Sequence, residues 1–379
     1  MTVALNDWLR QWMNNRAITI MIKPASSGCN LQCEYCFYNA TASSRKISNQ
    51  GIMSKETAHN LIDKAVEYVG QGCINFVFQG GEPLLVGIDF YEDFVSYFNK
   101  IKGRARVNFS LQTNGTLLND DYCKFFNRHN FLLGVSLDGS QATNKYRKLQ
   151  SGEPSFDAII KGINLLKKHN VQFNILSVVT KNSAKMIKRD YKFFAENDMK
   201  YLQFIPCLKP ICGEFDSNIH MTANEYGKFL YDLFQLYVAD NFKNNKFVSI
   251  RYFDNLLNLI TTGRSEQCGV NGQCGSQYVI EGGGNIYPCD FYCEDKWLLG
   301  NINNTDFATL EYKDLRIEFL AESSKIPQKC IDCQFFALCK SCGCKRSRAH
   351  FEDYCGGYYR FFSKILPQLE DLKRLIVNK

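Results

Sequence analysis

The sequence predicts an α/β fold in which six strand–helix units form an open, partial barrel, followed by a cysteine-rich C-terminal domain. Six apolar or β-branched runs alternate with segments of helical period such as SKETAHNLIDKAVEYV and SFDAIIKGINLLKKH. The chain has 379 residues, more than a single core usually supports, so two domains are expected. Ten of its 17 cysteines lie after residue 262, which marks the second domain.

The predicted strands are ITIMI (18–22), INFVF (74–78), RVNFSLQ (106–112), FLLGVSL (131–137), VQFNILSVV (171–179) and YLQFI (201–205). Strands that alternate with helices form right-handed βαβ units and therefore a parallel sheet. Polar turns follow the first four strands, and in barrels of this class the active site is built at the carboxyl ends of the strands. We therefore expect the site at that face.

The expected organisation is an N-terminal extension at 1–17, a core barrel at 18–235, a helical linker at 236–262, a cysteine-organised domain at 263–365 and a C-terminal helix at 366–379. In the cysteine-organised domain, QYVIEGGGNIYPCDF is typical of a hairpin with a glycine turn. Regular apolar patterning is thin there, so this domain is expected to depend on metal binding for its folding.

Composition favours metal over disulfides. The number of cysteines is odd and no secretory signal precedes the first strand, so a disulfide framework is not expected. Five histidines are too few to serve as the main metal ligands, which favours iron–sulfur clusters or zinc bound by cysteine.

No apolar run approaches the length of a membrane span, and we expect a cytoplasmic protein. The net charge of +7 comes from scattered residues, so it does not indicate a nucleic-acid surface.

One loop directly after the first strand carries Cys29, Cys33 and Cys36 in the spacing CxxxCxxC. A structural zinc site is normally closed by four cysteine or histidine ligands, and no histidine lies nearby. Three thiolates in one loop can instead bind three irons of a four-iron cubane and leave the fourth iron for another ligand. On spacing alone, a zinc site with a distant fourth ligand and a trio of buried thiols stay open as alternatives.

The three-cysteine loop, with Tyr35 just before its last cysteine, resembles the signature of the radical S-adenosylmethionine superfamily. GGEP at 80–83 is similar to that superfamily's motif for the methionyl amino group. The resemblance implies that the amino and carboxyl groups of S-adenosylmethionine chelate the open iron. It also implies cofactor contacts by Tyr35, Gln79, Gly80, Gly81, Glu82, Ser110, Gln112, Ser136 and Arg147.

The C-terminal part resembles the SPASM extension of that superfamily, which carries two auxiliary [4Fe–4S] clusters in addition to the first. By this resemblance, Cys268, Cys274, Cys289 and one cysteine of the pair Cys342 and Cys344 bind the first auxiliary cluster. The second is bound by Cys330, Cys333, Cys339 and Cys355. In family members, three residues separate the cysteine that corresponds to Cys339 from the next cysteine ligand. In CKSCGCKR, two residues separate Cys339 from Cys342 and four separate it from Cys344. We expect Cys344 to be the ligand.

Within the superfamily the chain most resembles the anaerobic sulfatase-maturating enzymes, over roughly residues 20 to 365. The likeness lies in KPASSGCNLQCEYCFY, FQGGEPLLVG, SLQTNGTLL, VSLDG, FNILSVVT, LQFIPC, IYPCDFY, LGNI and YCGGYYRFF. It implies anaerobic oxidation of a Cys or Ser side chain in a sulfatase segment to Cα-formylglycine, by a 5′-deoxyadenosyl radical that removes a Cβ hydrogen. The implied partners are an unfolded or nascent sulfatase and an electron donor such as flavodoxin or ferredoxin.

The resemblance also implies roles for three further side chains. Asp290, directly after Cys289, matches the base that takes the substrate proton, although an aspartate in this position is also typical of a turn. Tyr38 and Asp138 are expected on the substrate side. The segment DGSQATNKYR departs from the family pattern, because it lacks a proline and a histidine and is one residue shorter.

Two alternatives stay open. A maturase that crosslinks a small ribosomal peptide would use the same cofactors, but such enzymes often carry a recognition domain before the barrel, and only about 17 residues precede the first strand here. A zinc-rich nucleic-acid-binding module would also explain the cysteines and the charge. Iron content separates the second alternative from an iron–sulfur enzyme.

Overall fold

The computed structural model describes residues 16–209, 216–275, 277–349 and 351–378, so most of the predicted N-terminal extension lies outside the described residues. The chain forms two compact units, each assembled from distant segments. The first unit comprises the described parts of 1–135, 147–173 and 276–319, and the second those of 136–146, 174–275 and 320–379. The predicted domain boundaries stay a prediction.

Ten strands lie in the described residues: β1 Ala17–Lys23, β2 Cys73–Phe78, β3 Arg106–Thr113, β4 Leu132–Ser136, β5 Phe173–Val179, β6 Tyr201–Pro206, β7 Ser249–Ile250, β8 Gln277–Glu281, β9 Asn285–Tyr287 and β10 Gly300–Asn301. The six predicted strands are β1 to β6, each within two residues of the expected bounds. The first unit contains the order β10-β9-β8-β1-β2-β3-β4, and the second contains β5-β6-β7.

Strands β8, β1, β2, β3 and β4 are parallel neighbours, as βαβ units require. The predicted hairpin is confirmed, because β8 and β9 pair antiparallel with Val279 opposite Tyr287. The parallel pairing of β8 with β1 was not predicted, and it places Lys23 opposite Glu281 at the carboxyl ends of the two strands. This pairing brings the residues after β8 to the face where the site is expected.

The helices are α1 Phe37–Ser43, α2 Lys55–Val69, α3 Ile88–Ile101, α4 Asp120–Arg128, α5 Phe156–Lys168, α6 Lys181–Lys185, α7 Ile187–Glu196, α8 Ala223–Val238, α9 Arg251–Thr262, α10 Cys268–Asn271, α11 Phe307–Glu311, α12 Asp314–Ser323, α13 Gln328–Ile331, α14 Phe336–Cys339, α15 Lys345–Arg348 and α16 Phe351–Val377. Short 3₁₀ turns occur at Pro83–Val86, Asn144–Tyr146, Asp290–Tyr292 and Asp295–Trp297, and a π-helical turn at Ala239–Lys243. Of the helix predicted at 366–379, residues 366–377 form the second half of the longer α16.

The core of the first unit lies between the strands and the helices that cover one face of the sheet. Ile74, Phe76 and Phe78 of β2 are buried on that face, and the residues between them are only half-buried. Phe76 packs edge-on against Phe94 of α3, with ring centroids 5.0 Å apart. The opposite face of the sheet is less covered by the chain and carries the half-buried polar residues discussed below.

Helices α8 and α16 pack closely in the second unit because glycines allow it. A Cβ at Gly357 would lie 2.4 Å from the carbonyl oxygen of Ala223, and one at Gly227 would lie 2.6 Å from the carbonyl oxygen of Gly357. Both distances are shorter than side chains tolerate, so larger residues would separate the helices. Among the described helices, none has both the length and the apolar character needed to cross a bilayer.

Candidate functional site

The less-covered face of the first unit carries polar side chains near the carboxyl ends of its strands. Ser110 and Gln112 lie on that face of β3, since they are half-buried and alternate with the buried Phe109, Leu111 and Thr113. Lys23 ends β1 and Glu281 ends β8. Ser136 ends β4 and is also half-buried, but it belongs to the second unit. These positions agree with a site built at the strand ends, as in other barrels of this type.

The cysteine loop after β1 is held by the loop after β2. The backbone N–H of Gly81 donates to the Ser26 carbonyl (3.0 Å), and that of Glu82 donates to the Gly28 carbonyl (2.7 Å). A Cβ at Gly81 would lie 1.9 Å from the Gly28 oxygen, so only glycine permits this approach. Gly80 has φ of 128°, which also favours glycine. The two glycines therefore position the chain that leads into Cys29.

Further hydrogen bonds shape the three-cysteine loop itself. The N–H of Leu31 donates to Cys29 Sγ (3.4 Å), and the N–H of Cys36 donates to the Cys33 carbonyl (3.1 Å). Gln150 Nε2 donates to the Cys29 carbonyl (2.6 Å). Backbone N–H groups directed at thiolate sulfurs are the kind of contact that tunes an iron–sulfur cluster. The contact at Cys29 is of this kind, and the binding of a cluster by all three cysteines stays a prediction.

Tyr35 and Arg147, both expected near the cofactor, lie next to each other. The guanidinium carbon of Arg147 is 5.4 Å from the centroid of the Tyr35 ring, a cation–π distance. Arg147 is buried, and buried arginines are usually paired. Because Tyr35 lies between Cys33 and Cys36, this contact brings Arg147 to the cysteine loop of the first unit.

Glu82 makes its contacts within the protein. Its Oε1 accepts hydrogen bonds from the N–H of Leu84 (3.0 Å) and from Thr113 Oγ1 (2.8 Å), and its Oε2 accepts one from the N–H of Asn114 (2.8 Å). Complete burial raises the pKa of this carboxyl to about 7, although the three hydrogen bonds act in the opposite direction. Glu82 thus ties the loop after β2 to the end of β3, and Gly80 and Gly81 present the backbone at the cysteine loop.

Asp290 is held by two side chains from neighbouring strand ends. Gln79 Nε2 donates to Asp290 Oδ2 (3.0 Å), and Lys23 Nζ lies 2.5 Å from Asp290 Oδ1. Asp290 begins a 3₁₀ turn directly after Cys289 and is buried. Sequence reasoning expected Gln79 at the cofactor and Asp290 as the base, and the structure brings the two together.

Tyr38 lies behind this carboxylate, in a buried cluster of charges. Its ring centroid is 3.1 Å from Lys23 Nζ, and its hydroxyl donates a short hydrogen bond to Glu281 Oε1. Arg45 Nη1 also donates to Glu281 Oε1 (2.7 Å). Burial raises the pKa of Tyr38 well above its ordinary value, and the nearby Cys293 and Glu281 raise it further. The hydroxyl therefore keeps its proton as a donor to Glu281.

Asp138 lies in the second unit, on the loop after β4, and is buried. Its Oδ1 accepts from the N–H of Val178 (3.0 Å), and its own N–H donates to Asn144 Oδ1 (3.2 Å). Asp190, which sequence reasoning did not single out, accepts from the N–H (3.1 Å) and the hydroxyl (2.7 Å) of Ser140. These contacts hold the segment DGSQATNKYR, in which the sequence departs from the family pattern.

Four cysteines in the second unit surround one cavity of about 360 Å³. They are the ligands expected for the second auxiliary cluster, Cys330, Cys333, Cys339 and Cys355. Phe335, Phe336 and Tyr359 add apolar surface to its wall, which also includes polar residues. Thiolates around a partly apolar cavity are a donor set that suits an iron–sulfur cluster.

The two cysteines left open by the sequence differ in their surroundings. Cys342 is buried beside this cavity, and its N–H donates to Cys339 Sγ (3.3 Å). Cys344 lies close to Cys274. Burial raises the pKa of the Cys274 thiol, and the nearby charge of Cys344 raises it further. Cys268 begins α10 in the same unit, and Cys289 lies in the first unit directly before Asp290.

Comparison with known proteins assigns the family. Residues 24–194 match the model of the radical SAM superfamily, and residues 268–334 match that of an iron–sulfur cluster-binding domain, SPASM. The Cysteine-type anaerobic sulfatase-maturating enzyme of Clostridium perfringens is 41% identical, across 93% of this chain and 97% of that protein. The chain belongs to the anaerobic sulfatase-maturating enzymes.

Two further relatives of this family bear on its specificity. The Serine-type anaerobic sulfatase-maturating enzyme of Bacteroides thetaiotaomicron is 30% identical, across 96% of this chain and 93% of that enzyme. The solved structure of native anSMEcpe with bound AdoMet and Cp18Cys peptide matches with a TM-score of 0.89 at 40% identity, covering 95% of this chain and all of that one. The identity to the Cysteine-type enzyme, 41%, is higher than the identity to this Serine-type enzyme, 30%.

Family membership confirms the expected radical S-adenosylmethionine fold with a SPASM domain and the expected enzyme class. The cofactors of this sulfatase-maturating enzyme are S-adenosylmethionine and [4Fe–4S] clusters, with auxiliary clusters in the SPASM domain. A zinc-rich nucleic-acid-binding module is thereby excluded. The roles of individual residues stay predictions.

Sequence reasoning missed three charged residues of this maturating enzyme: Lys23, Arg45 and Glu281. All three are buried, and they connect Tyr38 and Asp290. A signal was present, since the apolar strands ITIMI and QYVI each end in a charged residue. Without the pairing of β8 with β1, nothing in the sequence indicated that the two charges meet.

Proposed function

We propose that this enzyme oxidises a cysteine side chain in an unfolded or nascent sulfatase to Cα-formylglycine, in the cytoplasm and with electrons from a small donor such as flavodoxin or ferredoxin. The observation that carries the cysteine specificity is the identity of 41% to a Cysteine-type enzyme against 30% to a Serine-type enzyme. S-adenosylmethionine, bound at the cluster of Cys29, Cys33 and Cys36, supplies the abstraction of a hydrogen atom from the substrate Cβ. The remaining tasks fall to the protein.

The first task is to take the thiol proton. Asp290 suits it because its carboxylate is held at both oxygens, by Lys23 and by Gln79, at the strand-end face. A base in a fixed position near the reacting atom accelerates proton transfer. Loss of the Cβ hydrogen atom, the thiol proton and one electron would leave a thioaldehyde, which water would hydrolyse to the aldehyde with release of hydrogen sulfide. Auxiliary clusters held by the C-terminal cysteines would supply the acceptor for that electron.

The second task is to hold the cofactor against the cysteine loop. Gly80 and Gly81 let the backbone of the loop after β2 approach residues 26–28, and Glu82 fixes that loop to β3. Ser110 and Gln112 lie on β3, where they are available to the carboxylate and ribose. The same role for Ser136, which belongs to the second unit, stays a separate prediction. Tyr35 and Arg147 flank the cysteine loop. Tyr38, which contacts Lys23, supports the substrate side. A substrate contact by Asp138, in the second unit, stays a separate prediction.

The test is an anaerobic incubation of the reconstituted enzyme with S-adenosylmethionine, a reductant and one of three sulfatase peptides that differ only at the target residue, Cys, Ser or Ala. We expect mass spectrometry to show conversion of CH₂SH to CHO in the Cys peptide and much slower oxidation of the Ser peptide. The Ala peptide controls for cofactor cleavage without a substrate. Faster turnover of the Ser peptide would contradict the cysteine specificity, and a crosslink in place of the aldehyde would favour a peptide-crosslinking maturase.

A further inference from the structure

Lys23 is the last residue of β1, and its side chain is completely buried. Lysine is almost never fully buried without a partner, because its ammonium group loses its hydration. Burial lowers the pKa of Lys23, but Asp290, Cys293 and Glu281 raise it, and the net effect is a rise. A permanently charged ammonium group therefore sits directly behind the proposed base.

The charges around Lys23 form two pairs. Glu281, its neighbour across β1 and β8, already has a cation of its own, because Arg45 Nη1 donates to Glu281 Oε1 over 2.7 Å. The direct contact of Lys23 is with Asp290 Oδ1, at 2.5 Å. The pairing therefore assigns Arg45 to Glu281 and Lys23 to Asp290, so Lys23 is not required to neutralise Glu281.

Both carboxylate oxygens of Asp290 have a partner. Oδ1 is held by Lys23 and Oδ2 by Gln79, so rotation about the side-chain bonds would break at least one contact. The ammonium group of Lys23 also lies 3.1 Å from the Tyr38 ring centroid, and so it connects the carboxylate with that ring. Reacting groups must be held within about half an ångström of their productive position.

We infer that Lys23 is a positioning residue for the reaction: its ammonium group holds the Asp290 carboxylate and the Tyr38 ring in the arrangement in which Asp290 takes the substrate proton. This inference rests on the proposed function of Asp290. Lys23 does not touch the substrate or exchange a proton in this role. A purely structural ion pair would instead stabilise the fold without affecting how often cofactor cleavage leads to product.

The test uses Lys23→Met, which keeps the apolar stem and removes the charge, with Lys64→Met as the matched control. Lys64 is a half-buried lysine of the same unit that donates to the backbone carbonyls of Ile302 and Thr305 and contacts no proposed site residue. The ratio of aldehyde to 5′-deoxyadenosine is measured with the Cys peptide. We expect Lys23→Met to lower kcat and this ratio about 10- to 100-fold with little change in the peptide KM, as misplacement of a reacting group does. Lys64→Met should keep the wild-type ratio.

A double-mutant cycle separates a loss that acts through Asp290 from a general defect of Lys23→Met. If Lys23 acts through Asp290, adding Lys23→Met to Asp290→Asn should leave the ratio of the Asp290→Asn enzyme unchanged. Both enzymes are first checked for iron content. A further drop in the double variant, or a wild-type ratio in Lys23→Met, would overturn the inference. Failure of the wild-type enzyme to oxidise the peptide would instead overturn the proposed function, so the two failures are distinguishable.

Discussion

The backbone N–H of Cys342 donates to Cys339 Sγ over 3.3 Å, which places Cys342 beside the cavity lined by Cys330, Cys333, Cys339 and Cys355. Lys340, Ser341 and Cys342 all have positive φ values of 48° to 63°, although none is glycine. Such a run of left-handed residues is strained and persists only where the surroundings impose it. The turn carries the chain from Cys339 to Cys344, which lies close to Cys274.

This arrangement predicts which of the two cysteines binds a cluster. Cys344→Ala should lose up to one cluster's worth of iron and sulfide, because it removes a ligand next to Cys274. Cys342→Ala should keep the wild-type iron content, because the cavity beside it already has four other thiols. Iron and sulfide analysis of the anaerobically reconstituted variants, with electron paramagnetic resonance of the reduced proteins, checks both. Iron loss in Cys342→Ala alone would reverse the assignment.

Glu82 predicts a pH dependence of stability. Burial raises its pKa from 4.5 to about 7 in the folded protein, so its contribution to stability is complete below about pH 4.5 and is lost as the pH rises through 7. A shift of this size corresponds to about 3 kcal/mol in the free energy of unfolding. Glu82→Gln cannot ionise and should lack this component.

The measurement is urea unfolding of the wild-type and Glu82→Gln proteins, both reconstituted anaerobically to the same iron content, from pH 5 to pH 8. Other titrating groups are the same in both proteins and cancel in the difference. We expect the wild-type free energy of unfolding to fall relative to that of the variant as the pH rises. A difference that stays constant with pH would show that Glu82 keeps an ordinary pKa.

The buried pair of Arg45 and Glu281 predicts a strong coupling in stability. Their side chains are 1% and 0% exposed, and the ion-pair distance is 2.7 Å. Arg45→Met should cost about 3 kcal/mol, because it leaves a buried carboxylate without its cation. Adding Glu281→Gln removes the second charge and keeps an acceptor for Tyr38, so the double variant should regain most of the loss. Additive losses in urea unfolding would contradict this account.

The proposed base makes a prediction that separates chemistry from assembly. Asp290→Asn should keep all clusters and should still cleave S-adenosylmethionine, because neither requires the carboxylate. Formation of the aldehyde should fall by about 100-fold or more, the usual contribution of a positioned base. Iron content, 5′-deoxyadenosine and aldehyde are measured on the same sample. Unchanged peptide turnover would remove Asp290 from this role.

The elements that the sequence predicted well are those specified by local periodicity. β1 to β6 alternate with amphipathic helices, and the apolar period shows each of them directly. The hairpin of β8 and β9 was predicted because both strands and their glycine turn lie in one short segment. The pairing of β8 with β1 was missed because it joins segments far apart in sequence, and local patterns contain no record of such pairings.

In the candidate site, too, residues in short local motifs were predicted from the sequence, whereas residues brought together from distant segments were not. Family motifs indicated Cys29, Gly81 and Asp290, since each belongs to a short recognisable segment. Lys23 and Glu281 became apparent only from the register of two distant strands, which places them opposite each other. A charged residue at the end of an apolar strand usually faces solvent, and burial at this position could be seen only in the folded chain.

The central claim, oxidation at the Cβ of a target cysteine, is tested most directly by following deuterium. The sulfatase peptide is prepared with both Cβ hydrogens of its target cysteine replaced by deuterium, and a second peptide carries deuterium at Cα. The account predicts one deuterium in 5′-deoxyadenosine, formed in step with the aldehyde, from the Cβ-labelled peptide and none from the Cα-labelled peptide. Deuterium transfer from Cα, or aldehyde formation without any transfer, would contradict it.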